Sequence, residues 1–165
     1  MTNIIIQPAQ KEQSTQLHSI LVECSRWLKK KKINQWQPVY HKARFMQETL
    51  RHHVYGCFID DTLIGTVTLL PTKPDSYPFG IWSENKPVWY MCRLAVKREY
   101  IHLGLGKKIL EEIERVAKIN HITSLRLDIA PDRHVLRNYY LHAGYIQKFI
   151  ELPYLQSIFF EKELV

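Results

Sequence analysis

The chain has 165 residues, 45 % apolar and 24 % charged, which is the balance of an ordinary globular protein and fits one domain spanning 1–165. No apolar run approaches the ~20 residues that cross a bilayer, and "MTNIIIQPAQ" lacks the basic and apolar regions of a secretory signal, so neither a membrane nor an exported location is expected. A net charge of +7 favours acidic partners such as nucleic acid, an anionic surface or a polyphosphate ligand.

"NIIIQPA" reads as a first strand. Residues 10–30 read as a helix with Leu17, Ile20, Leu21, Cys24, Trp27 and Leu28 on one face, ending in the solvated run Lys29–Lys32 that suits a helix C-terminus. A second helix is predicted from near Pro38 to about Leu50, because proline suits a first turn. Two β-rich runs flank Asp60, Asp61 and Thr62 as a hairpin. Residues 72–87 hold three prolines and a glycine and read as loop. "VWYMCRLAVK" is the next strand. A helix follows from Leu105 to Asn120, with Leu105, Ile109, Ile113, Val116 and Ala117 as its stripe. "ITSLRLDIA" is a strand, and "PDRHVLRNYYLHAG" a helix stopped by Gly144. "YIQKFIEL" and "QSIFFEKEL" read as two closing strands, a hairpin across Pro153. The order β-α-α-β-β-β-α-β-α-β-β is mixed α/β with an antiparallel meander in the middle.

The chemistry concentrates at "YIHLGLGKKIL". A dinucleotide fingerprint would need a third glycine at position 109, which is Ile109. A nucleotide P-loop would need glycine at position 101 and Ser or Thr at 108, which are Ile101 and Lys108. What survives is general: the first amides of a helix lack intrahelical partners, and the helix dipole favours an anion there. Gly104 and Gly106 keep side chains away from those amides, while Lys107 and Lys108 add positive charge. A turn that merely needs positive φ would use the same glycines. Cys24, Cys57 and Cys92 are odd in number, far apart and without metal spacing, and the eight histidines show none either, so free thiols in a cytoplasmic protein and no metal are expected.

Together, Leu94-Ala95-Val96, the Gly104-x-Gly106 turn and Tyr139-Tyr140-x-x-x-Gly144-Tyr145 resemble the GNAT superfamily of N-acetyltransferases, which use acetyl-CoA. The resemblance covers the element order from end to end. It implies a GNAT fold, a central, mostly antiparallel twisted sheet flanked by helices. It implies that the segment His102, Leu103, Gly104, Leu105, Gly106 and Lys107 holds the pyrophosphate, and that Leu94, Ala95 and Val96 hold the pantetheine arm where two strands part. Two positions depart from the family pattern. Ile101 stands where Arg or Gln is usual, which shifts the charge to Lys107 and Lys108. Arg133 stands where asparagine is common, and it could reach a cofactor phosphate instead.

Acetyl transfer from a thioester to an amine also needs oxyanion donors, a neutral amine and a proton for the departing thiolate. A tyrosine phenol, with a reference pKa near ~10, is protonated at neutral pH. The resemblance assigns Tyr140 to the sulfur as general acid and Tyr139 to the core. Glu84, Asp128 and His134 are candidate bases by residue type alone, and Cys92 reads as a small core residue rather than a nucleophile. Trp27, Trp36 and Tyr40 could wall an acceptor pocket or serve as core. The expected activity is acetylation of a primary amine on a small molecule or peptide. The alternative is a non-catalytic acyl-CoA-binding regulator, which would keep the glycine turn without needing Tyr140. No nucleic-acid partner is expected, and a homodimer is left open.

Overall fold

A computed structural model of the chain describes residues 2–82, 85–148 and 156–165. The regular elements are β1 (Ile4–Pro8), α1 (Ser14–Lys30), α2 (Lys42–Leu50), β2 (Val54–Ile59), β3 (Thr62–Leu70), β4 (Val88–Val96), α3 (Gly106–Ile119), β5 (Ser124–Ile129), α4 (His134–His142), β6 (Ile146–Lys148) and β7 (Ile158–Glu163). This is the expected order. The fold is mixed α/β, a seven-stranded sheet ordered β1-β2-β3-β4-β5-β7-β6 with flanking helices. The β4–β5 pair is parallel; β1–β2, β2–β3, β5–β7 and β6–β7 are antiparallel. The chain divides into two compact units, Met1–Leu69 with Arg93–Ile113 and Leu70–Cys92 with Glu114–Val165.

In the first unit, α1 buries Leu17, Ile20, Leu21, Cys24 and Leu28 on the predicted face. With Phe45, Val54, Leu63 and Ala95, four of them form an apolar cluster. Trp27 departs from the prediction. It is only half-buried, and the Arg98 guanidinium lies 3.8 Å from its ring centroid. The second helix also starts later than its proline suggested, at Lys42. Residues before it are held by tertiary hydrogen bonds rather than a helical ladder. Ser25 Oγ donates to the Trp36 carbonyl at 2.7 Å, the Gln37 amide donates to the Ser25 carbonyl at 2.7 Å, and His18 Nε2 bonds the Tyr40 carbonyl at 2.7 Å. The Gln37–Pro38 peptide is cis. The His41 side chain caps α2, accepting from the Ala43 amide at 3.3 Å.

Asp60 (φ 44°) and Asp61 (φ 65°) both adopt left-handed backbone. Two such residues make the turn whose twist matches a two-residue hairpin, as the aspartate pair suggested. Gly65 in β3 is a point of close approach: a Cβ there would lie 2.6 Å from the Ala95 carbonyl oxygen of β4. The absence of that carbon lets the two strands come together where β4 carries Leu94–Val96.

In the second unit, Tyr77, Val88, Tyr90 and Phe159 form an aromatic cluster against which Trp82 packs. Tyr77 and Phe159 meet edge-on at 5.0 Å. Beside them runs a buried ionic network. Arg126 Nε donates to Glu161 at 2.8 Å, Ser124 Oγ donates to the same oxygen at 2.8 Å, and an Arg126 terminal nitrogen reaches the Tyr90 hydroxyl at 3.2 Å. Burial alone would raise the Glu161 carboxyl, but the hydrogen bonds from Ser124 and Arg126 hold it below the ordinary carboxylate range. The last helix begins at His134 rather than Pro131, after a turn, and ends before Gly144 at φ 89°. The predicted strand "YIQKFIEL" is described for Ile146–Lys148, and the proposed hairpin turn at Pro153 lies outside the described residues. β7 pairs with β6 on one side and with β5 on the other, from Ser124↔Glu163 to Ile129↔Ile158.

Candidate active site

The first unit presents a strand, a turn and a helix start in unbroken succession. β4 ends at Val96, a 3₁₀ turn spans Arg98–Leu103, Gly104 follows at φ 64°, and α3 opens at Gly106. Ala95 is buried in the apolar cluster. The Val96 carbonyl accepts from the Cys24 thiol at 3.4 Å, and the Lys97 amide donates to the Ile64 carbonyl at 2.7 Å. The strand that precedes the turn is thus tied on both sides. The turn itself is solvent-facing: His102, Leu103, Gly104, Lys107 and Lys108 are exposed, while Leu105 is buried and anchors the helix start.

Three properties of this turn define its chemistry. The first bond of the α3 ladder joins the Ile109 amide to the Leu105 carbonyl at 2.9 Å. The amides of Gly106, Lys107 and Lys108 therefore precede the ladder and have no intrahelical acceptor. Gly104 sits in left-handed backbone, and a Cβ built on it would meet no atom within 4 Å. Its conformation favours glycine, yet the space over it is open. Finally, α3 is firmly fixed from below, with Leu105, Ile109, Ile113, Val116 and Ala117 buried along its predicted stripe and Leu110 buried beside it. Each such Leu, Ile or Val contributes about 1.5–3 kcal/mol of burial free energy. The helix therefore presents its first amides and its dipole to a fixed point in space. This arrangement suits a diphosphate.

Arg93, just before Leu94, has φ 49°, left-handed backbone inside a strand. Its guanidinium donates to Glu48 at 2.6 Å and lies 3.8 Å from the Tyr40 ring centroid. Tyr40 donates to the other oxygen of Glu48 at 2.9 Å. Burial, then the hydrogen bond to Glu48, pushes the Tyr40 phenol up from its ordinary value. Tyr40 and Trp36 both pack against the apolar cluster. This polar trio escaped sequence reasoning. Its one signal was an arginine inside the otherwise apolar "MCRLAV".

In the second unit, the β4–β5 register runs from Val88↔Ser124 to Tyr90↔Arg126. Tyr140 on α4 is 6 % exposed and surrounded by rings, with Tyr139 at 5.1 Å, Tyr145 at 5.4 Å and Phe160 at 6.0 Å. Among the described residues its hydroxyl has no hydrogen-bond partner. Burial, reinforced by Tyr139, Asp128 and Cys92, pushes its phenol well above the ordinary value, so it keeps its proton. Tyr139 is likewise raised by burial. Arg133 is the residue before the first turn of α4, and burial lowers its pKa.

Of the candidate bases, His134 is exposed at the start of α4 and Glu84 lies outside the described residues. Asp128 accepts from the Tyr77 hydroxyl at 2.5 Å on one oxygen and from Ser157 at 2.8 Å on the other. Both of its oxygens are engaged. Burial pushes the fully enclosed Cys57 thiol up to about 12. Among the described residues no group of three or more His, Cys, Asp or Glu is placed to hold a metal ion.

A helix start offering bare amides behind a left-handed glycine, following a strand of a mixed sheet, places the chain among α/β proteins with a helix start suited to an anion. The comparison with known proteins narrows that class: the profile of the acetyltransferase (GNAT) family matches residues 16–145, and the chain belongs to this family. It is 28 % identical to the uncharacterized N-acetyltransferase YesJ of Bacillus subtilis (strain 168), over 95 % of this chain and 88 % of that one. Among solved structures it is similar to a GNAT family acetyltransferase from Listeria monocytogenes 4b F2365, with TM-score 0.81 and 18 % identity over 98 % of this chain and 95 % of that one. It is also similar to the PaiA N-acetyltransferase of Thermoplasma acidophilum, solved in complex with coenzyme A, with TM-score 0.71 and 22 % identity over 98 % and 99 % of the two chains. These likenesses agree with the expected fold. Among the described residues no helix is long and apolar enough to cross a membrane.

Proposed function

We propose that the chain, acting as a single cytoplasmic domain, transfers an acetyl group from acetyl-CoA to a primary amine of a small molecule or peptide. The observation that carries this reading is the turn at Gly104: left-handed backbone, open space above it, and a helix start whose amides precede the hydrogen-bond ladder. The amides of Gly106, Lys107 and Lys108 would bind the diphosphate, and the lysine side chains would add diffuse positive charge. Lys107 is 83 % exposed and pairs with Glu111 at 3.8 Å, so its contribution is screened and the main chain dominates. The backbone of Leu94–Val96 would align the pantetheine arm and polarise the thioester carbonyl. Arg133 would assist at a cofactor phosphate.

Acetyl-CoA supplies the activated acyl group and a thiolate leaving group. A neutral amine attacks the carbonyl, the carbon–sulfur bond breaks, and the Tyr140 hydroxyl gives its proton to the sulfur. Supporting this role, burial keeps the Tyr140 phenol protonated and its hydroxyl has no competing partner among the described residues.

The test is twofold. Calorimetry should show coenzyme A binding with NAD and ATP bound far more weakly. A thiol-release assay across a panel of amines should then find turnover. Coenzyme A binding with no turnover on any amine would favour a regulatory acyl-CoA-binding protein instead.

A further inference from the structure

A groove of about 720 Å³ runs along the outward face of α1 in the first unit, and acetyl transfer as described makes no use of it. Its α1 wall extends from Thr15 to Lys30, about 22 Å of helix at ~1.5 Å per residue. Lys42 borders it from the first turn of α2, and Arg98 from the 3₁₀ turn after β4.

The lining is lopsided in charge. Arg26, Lys30, Lys42 and Arg98 border it, against Glu23 as the one carboxylate, and the wall between them is mostly apolar. Among the described residues none of these four cations forms an ion pair, and neither does Glu23. Elsewhere in the chain the lysines and arginines of the interior do find carboxylates, as Arg93 does with Glu48 and Arg126 with Glu161. Arg98 is also pre-set. Its guanidinium is stacked at 3.8 Å on Trp27 and hydrogen-bonds the Cys24 side chain, and the two contacts fix its plane. Gathered like charges repel one another and raise the energy of the free surface, a cost that a complementary anion removes.

We propose that this groove docks an extended acidic segment of a partner protein. The length selects the occupant. A single small anion fills only one end, whereas the groove spans roughly six or seven residues of extended chain at ~3.3 Å each. The cations are distributed to match, with Arg26 and Lys30 on the C-terminal half of α1 and Lys42 on the segment that His18 ties to α1 through Tyr40. A nucleic acid fits less well. The lining has one large aromatic, Trp27, and its ring is already covered by Arg98, so no platform remains on which successive bases stack. Glu23 would repel a backbone charged at every step but tolerates a peptide whose carboxylates are spaced. The groove acts independently of the glycine turn.

Fluorescence anisotropy with a fluorescein-labelled heptapeptide of alternating Glu and Gly tests this. Saturable binding is expected, weakening about tenfold between roughly 50 and 300 mM NaCl as screening shortens the reach of the charges. Lys42→Glu and Arg26→Glu should each lower affinity by about 2- to 5-fold, and the double variant by roughly 4- to 25-fold. Lys118→Glu makes the same change of charge on α3, at a residue that does not line the groove, and should lower it less than about 2-fold. Folding is not at issue for Lys42→Glu, since an acidic residue suits a helix's first turn, and circular dichroism with a coenzyme A titration checks each variant. The proposal is overturned by the absence of saturable binding, by equal losses with Lys118→Glu, or by tighter binding of a single-stranded RNA of matched charge.

Discussion

The open space over Gly104 makes that residue a probe of what fills it. A Cβ at this position meets no protein atom within 4 Å, so Gly104→Ala creates no clash inside the folded chain. Its stability cost is the left-handed backbone alone, about 1–2 kcal/mol for a residue with a side chain. Restricting the unfolded chain returns about 0.4–1 kcal/mol. The net cost is therefore roughly 0–1.5 kcal/mol, a fall in Tm of no more than about 6 °C for a chain of this size. Coenzyme A binding should respond quite differently. If a diphosphate sits over the turn, the new methyl displaces it from the amides of α3. Losing one charge-assisted hydrogen bond costs about 1.5–3 kcal/mol, which is roughly 10- to 150-fold in Kd. Gly104→Asn sharpens the contrast, because asparagine tolerates the left-handed region better and projects further. It should be the more stable variant and the weaker binder. Calorimetry for Kd and a thermal melt for Tm separate the two quantities. A folded Gly104→Ala and a folded Gly104→Asn that both bind coenzyme A like the parent chain would refute the reasoning.

Tyr140→Phe should lower kcat by about 10- to 10,000-fold, the range for a lost general acid, with coenzyme A affinity and Tm nearly kept; unchanged kcat removes the hydroxyl from the chemistry. Because burial raises the Tyr140 phenol above its usual ~10, kcat in the parent chain should show no falling limb from this group below about pH 10. Gly65→Ala places a methyl 2.6 Å from the Ala95 carbonyl and should destabilise by about 1–3 kcal/mol, with coenzyme A affinity falling as β4 shifts; denaturant titration beside calorimetry reads both. Glu161→Ala strips Arg126 of its buried partner and should cost about 3–5 kcal/mol in urea unfolding. Since the folded-state pKa of Glu161 is depressed, its contribution is present above the ordinary carboxylate value of about 4.3 and is lost as pH falls through the folded value. Glu161→Gln should accordingly show a shallower decline of stability on acidification; an identical decline contradicts the assignment.

What could be read from the sequence was local. The α3 stripe, the aspartate hairpin and the glycine turn each rest on residues within one or two turns of chain, and the structure places them as expected. The misses share one cause. The start of α2 was misjudged because Trp36, Gln37 and Tyr40 take their hydrogen bonds from α1, and nothing in "INQWQP" itself announces that. Trp27 lies at the edge of the α1 stripe, and Arg98, 71 positions along the chain, decides how far it is covered. The hydrogen-bond partners of Asp128 lie 51 and 29 residues away along the chain and were equally out of reach of local reading. The Arg93–Glu48 pair bridges 45 residues and was invisible for the same reason. Periodicity reports which face is apolar, but not which polar groups a fold brings together.

The departure at Ile101 follows from the same distinction. A side chain that bound the diphosphate could not be exchanged for an aliphatic one without loss. Here Ile101 and Leu103 are 38 % and 62 % exposed, and neither can donate a hydrogen bond through its side chain. Main-chain donors are indifferent to such exchanges, because every residue except proline carries an amide. They depend instead on where the backbone points. That is set by the left-handed residue at 104 and by Leu105, Ile109 and Ile113 beneath the helix. Tolerance should thus be inverted relative to a charge-based site. Neutralising the exposed Lys107 should cost little, since an exposed ion contact is worth about 0.2–1 kcal/mol. Adding one methyl at Gly104 should cost several-fold more in affinity, though it removes no charge at all. A Lys107→Gln variant that lost more coenzyme A affinity than Gly104→Ala would show that the cations, not the amides, hold the ligand.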